Sequence, residues 1–283
     1  MTPTASVVVT TYATPAELLA MSVDSLLGQT VADVEVVLVV DGDPAPDTAE
    51  VIESRERSDP RLVVLRPGRV GRARALNLGV RAASAPLVGI QDADDASHPR
   101  RIEAQLRLFA ADPDLTLLGT GCRVSSSLTA TADWTLPGDP TGAGARAVPV
   151  ERSLLCSNPI VHSSLLARAE AIDELGGYDE RRVAQYDYDL LLRLQAAGGH
   201  LALVDLPLVM HRRHPNQFFE GLAPVHRAWG SYRLQQSYIS ELPIGSRAAF
   251  STVALARLVY QVGRGVAWHR TSRRRRDAGE GVA

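Results

Sequence analysis

The chain has 283 residues, 45% hydrophobic and 22% charged, with a formal net charge of −2 at pH 7. That length supports one large α/β domain or two small ones around a sizeable core, and the near-neutral charge excludes a global attraction to nucleic acid or to anionic membrane. Two cysteines, Cys122 and Cys156, are too few for a disulfide framework and lack metal-site spacing, which suits a reduced, cytoplasmic setting.

The N-terminus enters an apolar strand pattern at once, so no cleaved leader is expected, and no stretch of about 18 uncharged apolar residues predicts a membrane span. Continuous β-branched runs at Ser6–Val9, Val34–Val40, Arg61–Leu65 and Pro86–Ile90 predict strands buried on both faces of a parallel sheet. Helical patterns lie between them at Pro15–Leu27, Asp47–Arg57 and Gly71–Ala83; the first opens on proline and carries Leu18, Leu19, Val23, Leu26 and Leu27. This alternation predicts βαβ units, in which ligands sit beyond the carboxyl ends of the strands. Thr10-Thr11, Asp41-Gly42-Asp43 and Asp92-Ala93-Asp94-Asp95 all fall at such ends.

Past Ala96 the rhythm changes. The pattern predicts a helix over Pro99–Ala110, a strand over Leu115–Val124, and loops with an edge strand over Ser125–Pro149. A further strand is expected over Ile160–Leu166, a helix over Tyr186–Ala197, one or two strands over Leu201–Met210 around Pro207, and helix from Ala223 onward.

Carboxylates two apart on extended backbone project to one side, so Asp92 and Asp94 can share a ligand. Oxygen donors suit a hard divalent cation, which would neutralise a diphosphate leaving group. Lysine is absent, so any anion held by a cationic side chain would meet an arginine guanidinium. Gly71-Arg72-Ala73-Arg74 opens a predicted helix, and its amides and guanidiniums either face an anion or form a solvated basic face.

The ordered set Val7–Tyr12, Ser25–Thr30, Glu35–Gly42, Arg74–Gly79, Asp92–Asp95, Asn158–His162, Gly176–Asp179, Asp187–Arg193 and Arg212–His214 resembles the family 2 glycosyltransferases over about residues 5–217. The resemblance implies an α/β GT-A fold, a Rossmann-like, mostly parallel sheet flanked by helices, with a helical C-terminal extension. It divides the chain into a nucleotide-sugar half at 1–97, an acceptor-binding and catalytic half at 98–217, and the extension at 218–283. The implied activity is inverting, metal-dependent transfer of a sugar from a nucleotide-diphosphate donor to a saccharide, lipid-linked or other hydroxyl acceptor, with Mn2+ or Mg2+ as cofactor.

Carried over position by position, the resemblance puts Thr10 and Tyr12 at the nucleotide, Asp41 on the base, Asp92 on the ribose or sugar, and Asp94 and His214 on the metal. Val40-Asp41 stands where many relatives have two acids. Asp95 is either a second ligand or the cap of the next helix. Arg72, Arg74 and Arg212 would face the donor phosphates. Asn77 would hold its loop, and His162 is either an acceptor contact or a satisfied structural histidine. Asp187 would be the catalytic base, with Tyr186 where many relatives carry glutamate; a helix N-cap is its alternative role. Asp189 should turn away and pair with Arg193, four residues on. Core packing is the expectation for Trp134, Trp229 and Trp268.

Arg247–Arg276 mixes apolar residues with arginines and ends in Arg273-Arg274-Arg275-Arg276, a composition that suits peripheral contact with the inner face of a membrane. A nucleotidyltransferase would show a glycine-rich phosphate loop after the first strand, which Thr10-Thr11-Tyr12-Ala13 lacks. A non-catalytic sugar-binding or scaffold protein would tolerate loss of the acids, all of which are present.

Overall fold

Strand β1, Ala5–Thr11, lies between β2 (Val34–Asp41) and β4 (Leu87–Asp92), parallel to both, and β2 pairs in turn with β3 (Leu62–Gly68). A computed structural model describes residues 2–125, 134–142, 145–212 and 224–277, with backbone alone for 224, 227 and 264–277. Both faces of β1 are covered, which is why its sequence is continuously apolar: Val7, Val8 and Val9 are 0% exposed. Each such side chain contributes about 1.5–3 kcal/mol of hydrophobic stabilisation.

The crossovers are α1 (Ala16–Leu27), α2 (Pro46–Ser58) and α3 (Arg72–Ala82). Helix α1 buries Leu19, Val23 and Leu26, spaced to share one face. Gly79 lets α3 lie close on the sheet: a Cβ built there would stand 2.3 Å from Val8 Cγ1.

The second part of the sheet is mixed. Its elements are β5 (Ala96–Ser97), α4 (Arg101–Ala111), β6 (Leu115–Ser125), β7 (Ala147–Pro149), α5 (Glu151–Leu154), β8 (Leu166–Arg168), α6 (Ala169–Glu174), α7 (Tyr186–Ala196) and β9 (His200–Arg212). Among the described residues the sheet has nine strands in the order β3-β2-β1-β4-β8-β6-β9-β5, with β7 also on β9. Strand β6 is parallel to β9, whereas β8, β5 and β7 run antiparallel to their partners.

Two sequence expectations are corrected, and one alternative is decided. Ile160–Leu166 is not a strand: His162–Ser164 forms a 3-10 turn and pairing begins only at Leu166. The Ser164 hydroxyl donates to Val161 O at 2.7 Å, the local backbone bonding by which serine competes with strand pairing. The expected helix at Pro99 starts two residues later, at Arg101, with Arg100 as its N-cap. Leu201–Met210 belongs to one strand, which passes through Pro207 where the β6–β9 register shifts.

Contacts divide the chain into two units, 1–151 with 159–213, and 152–158 with 214–283. The first holds the sheet. In the second, α8 (Pro224–Ile239) packs on α9 (Ile244–Asp277), and Ser251 Oγ donates to Gln236 Oε1 at 3.1 Å. Among the described residues no helix is long and apolar enough to cross a membrane. Cys122 and Cys156 are free thiols.

Candidate active site

The sheet register decides which polar side chains meet. Thr10 stands opposite Asp92, and Thr11 opposite Val40, so the tips of β1, β2 and β4 present Thr10, Asp41 and Asp92 together. A tight turn follows β4, closed by the Asp95 amide on Asp92 O at 3.0 Å. It gathers Asp92, Asp94 and Asp95, whose ligand atoms all lie within 4.8 Å of one another.

Each acid has a different setting. Asp92 pairs with the Arg72 guanidinium, and His162 Nδ1 lies 3.6 Å from its carboxylate. Burial pushes the Asp92 carboxyl upward, but Arg72, with His162 and His211, holds it far below its ordinary value. Asp95 is fully buried. It accepts from the Arg212 amide at 2.8 Å and from the Ser163 hydroxyl, and His211 Nδ1 lies 3.2 Å away. Burial raises the Asp95 carboxyl above its usual range and Asp92 and Asp94 add to the rise, while the His211 bond opposes it. The same bond to Asp95 raises the His211 imidazole.

The alternative of Asp95 as a helix cap is therefore corrected. Helix α4 begins at Arg101, and the Asp95 carboxylate ties the turn to the end of β9. The donor set fits a hard divalent cation: carboxylate oxygens converge, Asp94 is half-buried at the turn, and Asp95 is held in place by Ser163 and the Arg212 amide, with His211 beside it. His214 lies outside the described residues.

Below the turn, Arg101 is 0% exposed and donates to Ser97 Oγ at 2.9 Å and Leu165 O at 3.0 Å. Burial pulls its guanidinium down and the nearby Asp95 carboxylate opposes the fall. Gln91 completes this floor, donating to Ser22 Oγ at 2.8 Å and accepting from Ser97 Oγ at 2.5 Å.

Arg72, in the first turn of α3, links the acidic cluster to α7. Its guanidinium sits 5.7 Å from the Tyr186 ring centroid. Arg74, two residues on, is exposed. Asn77 clamps the chain before α7: it accepts from the Tyr178 amide at 2.7 Å and donates to Tyr178 O at 2.9 Å. His162 is buried, with Nε2 2.9 Å from the Tyr178 hydroxyl. Both ring nitrogens thus face protein groups, Nδ1 toward Asp92 and Nε2 toward Tyr178.

Asp187 lies in the first turn of α7, whose N-cap is Gln185 in a left-handed conformation, so Asp187 is not the cap. Burial raises the Tyr178 and Tyr186 hydroxyls and the Asp187 charge adds to the rise, while the Arg72 guanidinium, lowered by burial, is raised by Asp92 first and by Asp187 less. Asp189 is buried and bonded to Arg193 at 2.8 Å and Arg182 at 2.8 Å, turned away as its spacing predicted.

At the far end of the site Tyr12 is exposed and Asp41 is buried. Asp41 Oδ1 accepts from the Val70 amide at 2.6 Å and the Gly71 amide at 3.1 Å, and Oδ2 pairs with Arg69. A cleft opens here, lined by Tyr12, Ala13, Asp41, Asp43, Pro44 and Thr48. Trp134 packs edge-on to His98 and donates to Pro207 O at 3.0 Å. Trp229 is 50% exposed and stacks on Tyr232, which corrects the expectation of core packing; the Trp268 side chain lies outside those described.

Sequence reasoning missed Arg69, Ser163 and His211. Ser163 and His211 adjoin residues it did single out, His162 and Arg212. No local pattern distinguishes them, because their partner Asp95 is 68 and 116 positions away.

Residues 6–138 match the family described as Glycosyl transferase family 2. The chain is 25% identical over 219 residues to an uncharacterized glycosyltransferase of Methanocaldococcus jannaschii, a match covering 74% of this chain and 71% of that one. It is 29% identical over 191 residues to the chondroitin synthase of Pasteurella multocida, covering 67% of this chain but only 19% of that much longer protein. A mannosyltransferase from Pyrobaculum calidifontis, solved with GDP-Man and Mn2+, superposes with a TM-score of 0.68 at 17% identity, over 99% of this chain and 76% of that one. At that identity the likeness speaks for the fold. With its strand-tip acids and this sheet, the chain has the GT-A fold, and over residues 6–138 it matches the family 2 glycosyltransferases.

Proposed function

We propose that the protein is a metal-dependent, inverting glycosyltransferase that moves a sugar from a nucleotide-diphosphate donor to an acceptor hydroxyl, in the synthesis of a polysaccharide, glycolipid or other glycoconjugate. The observation that carries this reading is the carboxylate cluster at the tip of β4, with Arg72 on one side and Asp187 near enough for its charge to act on Arg72.

Thr10 and Tyr12 would line the nucleotide, and the Asp41 carboxylate would accept a ring N–H of the base. Uracil and guanine offer such an N–H; cytosine and adenine present a bare ring nitrogen there. Asp92 would hold the ribose or sugar, and Arg72 and Arg212 would take charge on the phosphates. A divalent cation on Asp94, with His214 as a further ligand, would neutralise the departing diphosphate. Asp187 would remove the acceptor proton as the acceptor oxygen bonds to the anomeric carbon and the bond to the diphosphate breaks on the opposite face.

A cytoplasmic site of action, peripheral at the inner face of the membrane, is supported by α9, which exposes Val253, Leu255, Val259 and Tyr260 and ends in a run of arginines. The test of the function is thermal stabilisation and donor hydrolysis across a panel of nucleotide sugars, with and without Mn2+. Stabilisation by UDP- or GDP-sugars that requires the metal is expected; indifference to every donor and to chelator would overturn the reading.

A further inference from the structure

Arg69 makes both contacts that a nucleotide base would make at the tip of β2. Its guanidinium carbon lies 3.8 Å from the Tyr12 ring centroid, a stacking distance. Its Nη1 bonds Asp41 Oδ2, while the two backbone amides of Val70 and Gly71 take Oδ1. Arg69 and Tyr12 both lie over Gly42, where an added Cβ would stand 3.4 Å from Arg69 Cδ and 3.7 Å from Tyr12 Cε2. Asp41 is only 3% exposed while the Arg69 side chain is 52% exposed, so the carboxylate is fixed and the arginine has open space into which to move.

A flat, delocalised cation donating N–H bonds to a carboxylate from above an aromatic ring presents the same face and edge as a heterocycle with a ring N–H. We propose that Arg69 is a displaceable stand-in for the donor's base: it covers Tyr12 and neutralises Asp41 in the free protein, and the base must expel it. This rests on the proposed role of Asp41 and Tyr12 in binding a nucleotide.

The consequence has a definite sign. When the binding-competent state is a minor fraction of the free protein, apparent affinity falls by that fraction. Removing the arginine removes the competitor and leaves the buried carboxylate in need of a donor, which a base N–H supplies. Arg69→Ala should therefore bind UDP or GDP more tightly than the natural protein, on the order of 10-fold for an arginine that covers the site about nine-tenths of the time. A residue that clasps the base would give the opposite result.

The experiment is calorimetric titration of the full chain with UDP and with GDP in the presence of Mn2+, for the natural protein, Arg69→Ala and Arg69→Gln. Tighter binding in Arg69→Ala, an intermediate Kd in Arg69→Gln, and weakening of the Arg69→Ala affinity by millimolar guanidinium, which leaves the natural protein unmoved, are expected. Equal or weaker binding in Arg69→Ala overturns the proposal while leaving the glycosyltransferase reading intact. If the natural protein and both variants bind neither nucleotide, the nucleotide site itself is wrong and this inference falls with it. Melting curves accompany the titrations; a half-exposed side chain is expected to cost little stability.

Discussion

The backbone amide of Arg212 donates to Asp95 Oδ1 at 2.8 Å, joining residues 117 positions apart. This bond fastens the acidic turn to the end of β9 and separates two neighbouring acids by role. Asp94→Asn removes a proposed metal ligand from a half-buried position. It should abolish nearly all transfer and weaken donor binding, with little change in Tm. Asp95→Asn instead sets an amide NH2 against a buried group of donors, Ser163, His211 and the Arg212 amide, and should lower stability by about 1–3 kcal/mol. Paired melting and activity measurements check the contrast; an Asp94→Asn variant with normal turnover removes the metal assignment.

Asp187→Asn addresses the chemical step. Gln185 caps α7, so the substitution leaves the cap in place. Transfer should fall by roughly 10²-fold or more, the usual contribution of a general base, while nucleotide and Mn2+ binding survive. Unchanged turnover with a lower Tm would leave Asp187 a structural acid.

A pH effect on stability is expected at His98. Burial, with Arg100 nearby, lowers this imidazole, and in its neutral form Nδ1 accepts from the Arg100 amide at 3.1 Å. Because the folded-state pKa lies below the unfolded one, the unfolded chain binds more protons between the two. The stabilisation is fully present above pH ~6.5 and is lost as pH falls through the folded value. Tm profiles of the natural protein and His98→Asn should converge as the pH is lowered; parallel profiles would show that His98 contributes nothing to the slope.

Membrane contact is tested by truncation after Gly263. This retains the buried Ala254 and Leu258 of α9 and removes the arginine-rich end. Co-sedimentation with vesicles rich in anionic lipid should drop sharply, with Tm nearly unchanged. Equal sedimentation of the two forms, or none by the full chain, removes the arginine-rich end from any membrane role.

Much of this protein was legible in the order of its residues. Strands β1, β2 and β4 are buried on both faces, so they write themselves as unbroken apolar runs, whereas β3, read the same way, is an edge strand with Val63 exposed; the crossover helices show their one-sided spacing. From that alternation alone Thr10, Asp41 and Asp92 fall at one edge of a sheet. The Asp189–Arg193 pair follows from a spacing of four. Only the tertiary structure decided what each polar group does there. Whether Asp95 caps a helix or anchors a turn depends on β5 pairing with β9, which brings Arg212 and His211 beside it. Whether Asp41 stands open or is held depends on Arg69, 28 positions away on the far side of β3. The physical reason is that periodicity reports which face of an element is buried, a local property, whereas the role of a buried carboxylate is set by the donors that satisfy it, and those come from distant parts of the chain.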